Sequence, residues 1–169
     1  MADKSTFTPD EWKRILGSTM LASMAVTMAD HGGLWGMLKE GLASGSALAD
    51  AQRDPNANGL VRAVVADFMT SEGRAAARDD IKATLDGATS AADAQAKAVN
   101  ALKDVAALLD TKAPADAPAF KAWLESIGNR TANAANEGGF LGFGGVAVSD
   151  AEKTALEQIA NALRPAAAA

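Results

Sequence analysis

Residues 7–28 read FTPDEWKRILGSTMLASMAVTM, and this stretch carries the clearest structural signal in the chain. Thr8 offers an N-cap hydroxyl, Pro9 suits the first helical position, and Glu11 completes a capping box. Phe7 stands where a hydrophobic staple would pack on Trp12. The apolar residues that follow recur at helical spacing: Trp12, Ile15, Leu16, Met20, Met24 and Met28. The stretch therefore predicts a helix that buries one face.

The rest of the chain shows the same pattern, in which short apolar stripes are separated by turn residues. Further helices are predicted to begin near Leu34, Leu60, Ser71, Ser90, Phe120 and Ser149. Ser71, Ser90, Asp116 and Ser149 are the predicted cap residues. No segment alternates with period two over a useful length, so no sheet is expected. The sequence predicts an all-α fold, a single bundle of about seven helices over residues 8–164, with an N-terminal tail at 1–7 and a disordered tail at 165–169.

Three glycines, Gly36, Gly41 and Gly45, lie inside the second predicted helix. An interior glycine costs up to about 1 kcal/mol relative to alanine. A helix that retains three of them is expected to pack one face very closely against a neighbour. The glycines therefore predict a close helix–helix contact and, together with the aromatic residues of segment 138–145, a surface suited to association.

Composition excludes several classes of site. The chain has 169 residues, no cysteine, no tyrosine and a single histidine, His31, so neither a thiolate site nor a multi-histidine metal site can form within one chain. The net charge is −5, and both signs are spread along the sequence, which argues against a nucleic-acid partner. The longest uncharged stretch, residues 15–29, is short for a membrane span. We expect a cytoplasmic protein.

The glycine-rich segment 138–145, GGFLGFGG, is the most unusual motif. It lacks the lysine and hydroxyl residue of a phosphate loop, and it follows a helix where a dinucleotide fingerprint would follow a strand. In one interpretation its apolar side chains fill the core between two helices. In the other they are exposed and contact a partner protein, a second copy or a membrane surface. The candidate ligand- or partner-binding residues are Trp35, Phe140, Leu141 and Phe143.

Two acidic motifs are candidates for chemistry. Asp30 precedes His31, and an imidazole beside a carboxylate could act as a general base or a metal ligand. The alternative is a histidine that interacts with the dipole of the first helix at its C-terminal end. The pair Asp79-Asp80 resembles two catalytic carboxylates, but consecutive helical positions point about 100° apart. A solvated helix face is the favoured interpretation of that pair.

The acid-and-glycine segment after the first helix and the run Val148-Ser149-Asp150-Ala151-Glu152 before the last one resemble the tellurite-resistance TerB-like family. That family is all-helical, of similar size, and linked to stress responses and to metal binding through acidic residues. The resemblance implies a divalent metal held by Asp30, Asp150 and Glu152, with His31 as a further candidate ligand. His31-Gly32-Gly33 stands where the family has a more acidic loop, and Ser149 with Glu152 also forms a capping box.

The leading functional hypothesis is a non-enzymatic helical binding protein that acts in a bacterial stress response. It would bind a protein partner, a second copy of itself as a homo-oligomer, or a small ligand. Few catalytic options remain when histidine occurs once and cysteine and tyrosine are missing. A metal-binding stress protein and a protein that associates with a membrane surface are the alternatives. No cofactor is expected apart from that divalent metal.

Overall fold

A computed structural model describes residues 1–29, 45–137 and 148–164, with the backbone alone for 135–137. The helices in these ranges are α1 (Pro9–Thr27), α2 (residues 45–53), α3 (Gly59–Phe68), α4 (Ser71–Leu85), α5 (Ala91–Lys112), α6 (Ala117–Glu137) and α7 (Asp150–Leu163), after a 3-10 turn at Lys4–Thr6. No strand occurs in the described ranges. The predicted all-α bundle is confirmed.

Helix α1 lies at the centre of the bundle, in contact with α3, α4, α5, α6 and α7. Its buried set is therefore wider than the single stripe predicted from the sequence. Trp12, Ile15 and Leu16 are buried as expected, but Met20, Met24 and Met28 are only half-buried. The positions beside that stripe are buried as well: Leu21, Ala22, Ala25 and Val26. A helix enclosed on several sides buries small residues between its large ones, and a one-face pattern does not predict this.

The helix starts follow the local capping signals. Thr8 and Glu11 form the predicted capping box, as do Ser149 and Glu152, and the side chain of Ser90 accepts a hydrogen bond from the backbone of Asp93. The rings of Phe7 and Trp12 stack with centroids 6.0 Å apart, which confirms the predicted staple. The cap of α4 is one residue earlier than predicted: Thr70, not Ser71, accepts from the Gly73 backbone.

The glycine prediction for the second helix is only partly testable. At Gly45 an added Cβ would meet no atom of the described residues within 4 Å, so close packing is not found there. Gly36 and Gly41 lie outside the described residues. Close approaches occur instead at Gly17 in α1 and at Gly73 in α4, where an added Cβ would lie within about 2.1 Å of atoms of Asp80 and Asp67, respectively.

The segment before α1 is in contact with the helices. Ala2 and Phe7 are buried, and the Ala2 backbone N–H donates to Asp116 at 2.7 Å. The second carboxylate oxygen of Asp116 accepts from the side-chain amide of Asn58 at 2.8 Å. Asp116 directly precedes α6, at the cap position that the sequence predicts, and its backbone carbonyl accepts from the Phe120 N–H. Its carboxylate has a further role, because it joins three segments that are distant along the chain.

Candidate functional site

A groove of about 470 Å³ runs between α1, α4 and α5. Its volume lies within the range of about 300–1,000 Å³ that is usual for small-molecule sites. The apolar part includes Leu21 and Val105, both almost fully buried. The polar and charged lining residues are Arg14, Asp80, Thr84, Asp86, Lys97, Asn100 and Asp104. The groove therefore combines an apolar floor with side chains of both charges.

Gly17 creates the place where the carboxylate of Asp80 lies. A Cβ added at Gly17 would be 2.1 Å from Oδ2 of Asp80 and 3.0 Å from its Cβ. Because Gly17 has no side chain, α4 approaches α1 closely, and the half-buried Asp80 lies against the α1 backbone. The neighbouring Asp79 is exposed. The two adjacent acids therefore have different environments, and only Asp79 lies on the solvated face that the sequence predicts for both.

The carboxylate of Asp80 makes no hydrogen bond and no ion pair within the described part of the chain. Burial raises its pKa from 3.8 to about 6, although the nearby charges of Arg14 and then Lys13 act in the opposite direction. A carboxyl group in this state is largely ionised at neutral pH while it is incompletely solvated. It can therefore accept hydrogen bonds from a donor that enters the groove.

Arg14 lines the same groove and is exposed, and it also lacks a hydrogen bond or ion pair among the described residues. It is close enough to Asp80 to affect the pKa of that carboxyl. Lys97, by contrast, donates to the backbone carbonyl of Asp86 beyond the end of α4. Asp80 and Arg14 are thus two oppositely charged side chains of the groove that can each bind an external partner.

No protein-family model, no curated protein and no solved structure matches this chain. Function is therefore inferred from the residues and their geometry. Within the described helices, none is both long enough and apolar enough to cross a bilayer.

A second groove, of about 360 Å³, lies beside α2 and α6. The half-buried Trp123 forms part of its wall and meets Phe120 edge-on, with ring centroids 5.4 Å apart. Its charged groups are already engaged, because Arg130 donates to Asp50 at 2.5 Å. That contact and the Arg130 charge lower the pKa of Asp50. The groove at Asp80 is the stronger candidate, since the charges of Asp80 and Arg14 have no hydrogen-bond or ion-pair partner among the described residues.

Two of the residues implied as metal ligands lie in the described chain, at the start of α7. Asp150 is fully exposed and accepts from Lys153 at 2.9 Å, a contact that lowers the pKa of Asp150. Glu152 is 5% exposed, and its Oε2 accepts from the Ser149 backbone at 2.8 Å. Both side chains thus have local roles, one in an exposed ion pair and one in the capping box.

The other predicted site residues lie outside the described residues: Asp30, His31, Trp35, Phe140, Leu141 and Phe143. Residues 1–29, 45–137 and 148–164 contain no group of three acidic or histidine side chains that could hold a metal ion. The metal site and the contact role of the glycine-rich segment stay predictions.

Asp80 was not predicted as a site residue. Its environment depends on the approach to Gly17, which is 63 positions away along the chain and lies within the most regular helical stretch of the sequence. The only available signal was a glycine inside a strongly predicted helix, since such a glycine costs up to about 1 kcal/mol and often has a packing reason.

We expect Asp80→Asn to raise the free energy of unfolding at neutral pH by about 1 kcal/mol, a value reduced for partial exposure. The folded chain keeps the Asp80 proton up to about pH 6, whereas the unfolded chain releases it near 3.8. Between these values the folded state binds more protons, so this carboxyl makes stability fall as pH rises. Urea unfolding across that window should show the difference between variant and wild type growing with pH, whereas a difference independent of pH would contradict the expectation. Asp79→Asn is the control.

Proposed function

We propose that this protein is a binding protein whose ligand places a positively charged nitrogen group against Asp80 in the groove between α1, α4 and α5. The observation that carries the proposal is the half-buried carboxylate of Asp80, which has no hydrogen-bond or ion-pair partner among the described residues. An ammonium or guanidinium group would supply both the hydrogen-bond donors and the charge that this carboxylate lacks.

Energetics support an external partner for this side chain. A partly desolvated carboxylate without donors destabilises the folded state, and such groups are uncommon unless they serve a purpose. The close approach of α4 at Gly17 places the carboxylate against the α1 backbone and partly out of water, where a charge-assisted hydrogen bond is stronger than in bulk water. A cationic ligand would therefore gain more at Asp80 than at an exposed acid such as Asp79.

The groove favours binding over catalysis. Among its lining residues, Asp80 is the carboxyl group whose pKa is raised. Thr84 and Asn100 supply polar atoms but no second group with a pKa near neutrality. Binding needs only complementary charge and shape, whereas general acid–base catalysis also requires a reacting group positioned beside the acid. A non-enzymatic role is therefore the simpler account.

The proposal can be tested by nuclear magnetic resonance titration of the full chain. The probes are two small ammonium compounds, ethylammonium and L-alanine, with ethanol as the uncharged counterpart. We expect an ammonium probe to shift the backbone amides of Gly17, Ala83 and Ala101, and ethanol to leave them in place. Asp80→Asn should weaken this binding by about tenfold or more, as expected for loss of a charge-assisted hydrogen bond.

Asp79→Asn is the matched control, because it removes the same charge from the adjacent exposed position and should leave binding unchanged. The proposal fails if neither ammonium compound shifts these amides. It also fails if Asp80→Asn binds the probes as tightly as the wild type does. A helical circular dichroism spectrum in each variant confirms that the fold is retained.

The cytoplasmic location, the bacterial stress response, the protein partner or homo-oligomer and the TerB-like metal site remain predictions from the sequence. They are compatible with a ligand at Asp80, since none of them requires that groove.

A further inference from the structure

We infer that the ligand of this groove is a small zwitterion of the α-amino acid type, with its ammonium group on Asp80 and its carboxylate on Arg14. This inference rests on the proposed function, because it assigns the second charge of the ligand whose first charge Asp80 would hold.

Asp80 and Arg14 line one groove and interact electrostatically, yet they form no ion pair with each other. Asp80 lies against the α1 backbone at Gly17, whereas Arg14 is exposed three positions earlier on the same helix. The groove thus offers an acceptor and a cation that are near enough to interact electrostatically. In an α-amino acid the ammonium and carboxylate groups are attached to the same carbon atom, so the ligand carries the two opposite charges close together.

A ligand with a single charge fits this pair less well. An amine that approaches Asp80 also meets the like charge of Arg14, and a carboxylate that approaches Arg14 also meets the like charge of Asp80. A zwitterion satisfies both side chains at once and brings no net charge into the groove. Arg14 also presents a planar fork of donors that matches the two oxygens of a carboxylate.

The remaining lining suits a short side chain. Leu21 and Val105 are almost fully buried apolar lining residues, and Ala101 adds a small apolar one. Asn100 and Thr84 also line the groove and supply polar atoms. Lys97 is already engaged with the Asp86 carbonyl, so it does not compete for the carboxylate of the ligand.

The test uses L-alanine and two smaller compounds that each lack one of its charged groups. L-alanine carries both charged groups, ethylammonium is alanine without its carboxylate, and propionate is alanine without its ammonium group. Each is titrated into the full chain, and the dissociation constant is obtained from the shifts of the Gly17 and Ala101 amides. We expect L-alanine to bind about tenfold or more tightly than either single-charge compound.

The variant Arg14→Gln separates this inference from the proposed function. It should weaken the binding of L-alanine by about tenfold. The binding of ethylammonium should stay unchanged or become slightly tighter, since the like charge of Arg14 is gone. Arg78→Gln is the matched control, because Arg78 is exposed on α4 and does not line the groove, and it should leave L-alanine binding unchanged. Both variants replace an exposed arginine on a helix, and circular dichroism verifies their helicity.

The outcomes are distinct. If ethylammonium binds as tightly as L-alanine, or if Arg14→Gln leaves L-alanine unaffected, the zwitterion inference is overturned while binding at Asp80 stands. If neither ammonium compound shifts the groove amides, the inference and the proposed function both fail. Tighter binding of propionate than of L-alanine would also overturn the inference, because it would assign the site to an anion.

Discussion

Asp116→Ala is expected to lower the free energy of unfolding by about 3 kcal/mol, because it removes two hydrogen bonds to a buried charged group. Asp116 is 5% exposed, and its carboxylate accepts from the Ala2 backbone at 2.7 Å and from the Asn58 side chain at 2.8 Å. Alanine would leave both donors without their acceptor. Asn58 also caps α3 through its side-chain oxygen, which accepts from Leu60, so the start of that helix is weakened as well.

Urea unfolding followed by circular dichroism measures this effect. Asp79→Ala is the control, since Asp79 is exposed, and its replacement should change stability by no more than about 0.5 kcal/mol. Amide hydrogen exchange gives a second measure, in which Ala2 and Leu60 should lose protection in Asp116→Ala. Equal stability of the two alanine variants would contradict a structural role for Asp116.

Gly73→Ala is expected to lower the free energy of unfolding by about 2 kcal/mol, although alanine favours a helix more than glycine does. A Cβ at position 73 would lie 2.1 Å from the backbone carbonyl oxygen of Asp67 and 2.6 Å from its carbon. Backbone atoms cannot move aside as the end of a side chain can. The methyl group would therefore force α3 and α4 apart at their connection.

Gly128→Ala provides the matched comparison, because Gly128 also lies inside a helix and is also buried. Its added Cβ would meet the ends of the Ile159 and Leu156 side chains at 3.4 Å, a distance close to ordinary contact. We expect this variant to gain up to about 1 kcal/mol through helix propensity. Thermal unfolding should therefore shift downward for Gly73→Ala and upward for Gly128→Ala. Shifts in the same direction would contradict this account of the two glycines.

Local signals in the sequence predicted local structure well. The boxes at Thr8 and Ser149 and the cap at Ser90 involve residues at most three positions apart, so the sequence alone contains both partners. Gly87 follows the C-terminal end of α4, and its φ of 68° is one that other residues rarely adopt. Helical periodicity also predicted the fold class and the burial of one face of α3.

Features that depend on distant partners were not predictable in this way. Asp116 is of a residue type that is common at helix caps, and the sequence shows no more than that. The hydrogen bonds that its carboxylate accepts from Ala2 and Asn58 form only when three segments meet. Asp80 resembles its exposed neighbour Asp79, and its environment depends on the packing of α4 against Gly17. A hydrophobic pattern shows which side chains avoid water, but it does not show which helices will meet. The candidate groove exists because α4 and α5 pack against α1.

The central position of α1 has a consequence for the order in which the molecule folds. The first long helix of the chain is covered by α4, α5, α6 and α7, all of which follow it at large sequence separation. During synthesis, α1 emerges before the helices that shield its apolar side chains. The core contacts of α1 join residues that are far apart along the chain, so forming them requires the closure of long loops. Contacts of this kind slow folding and prolong the exposure of apolar surface. Nascent chains that stall before α7 are therefore expected to depend on chaperones.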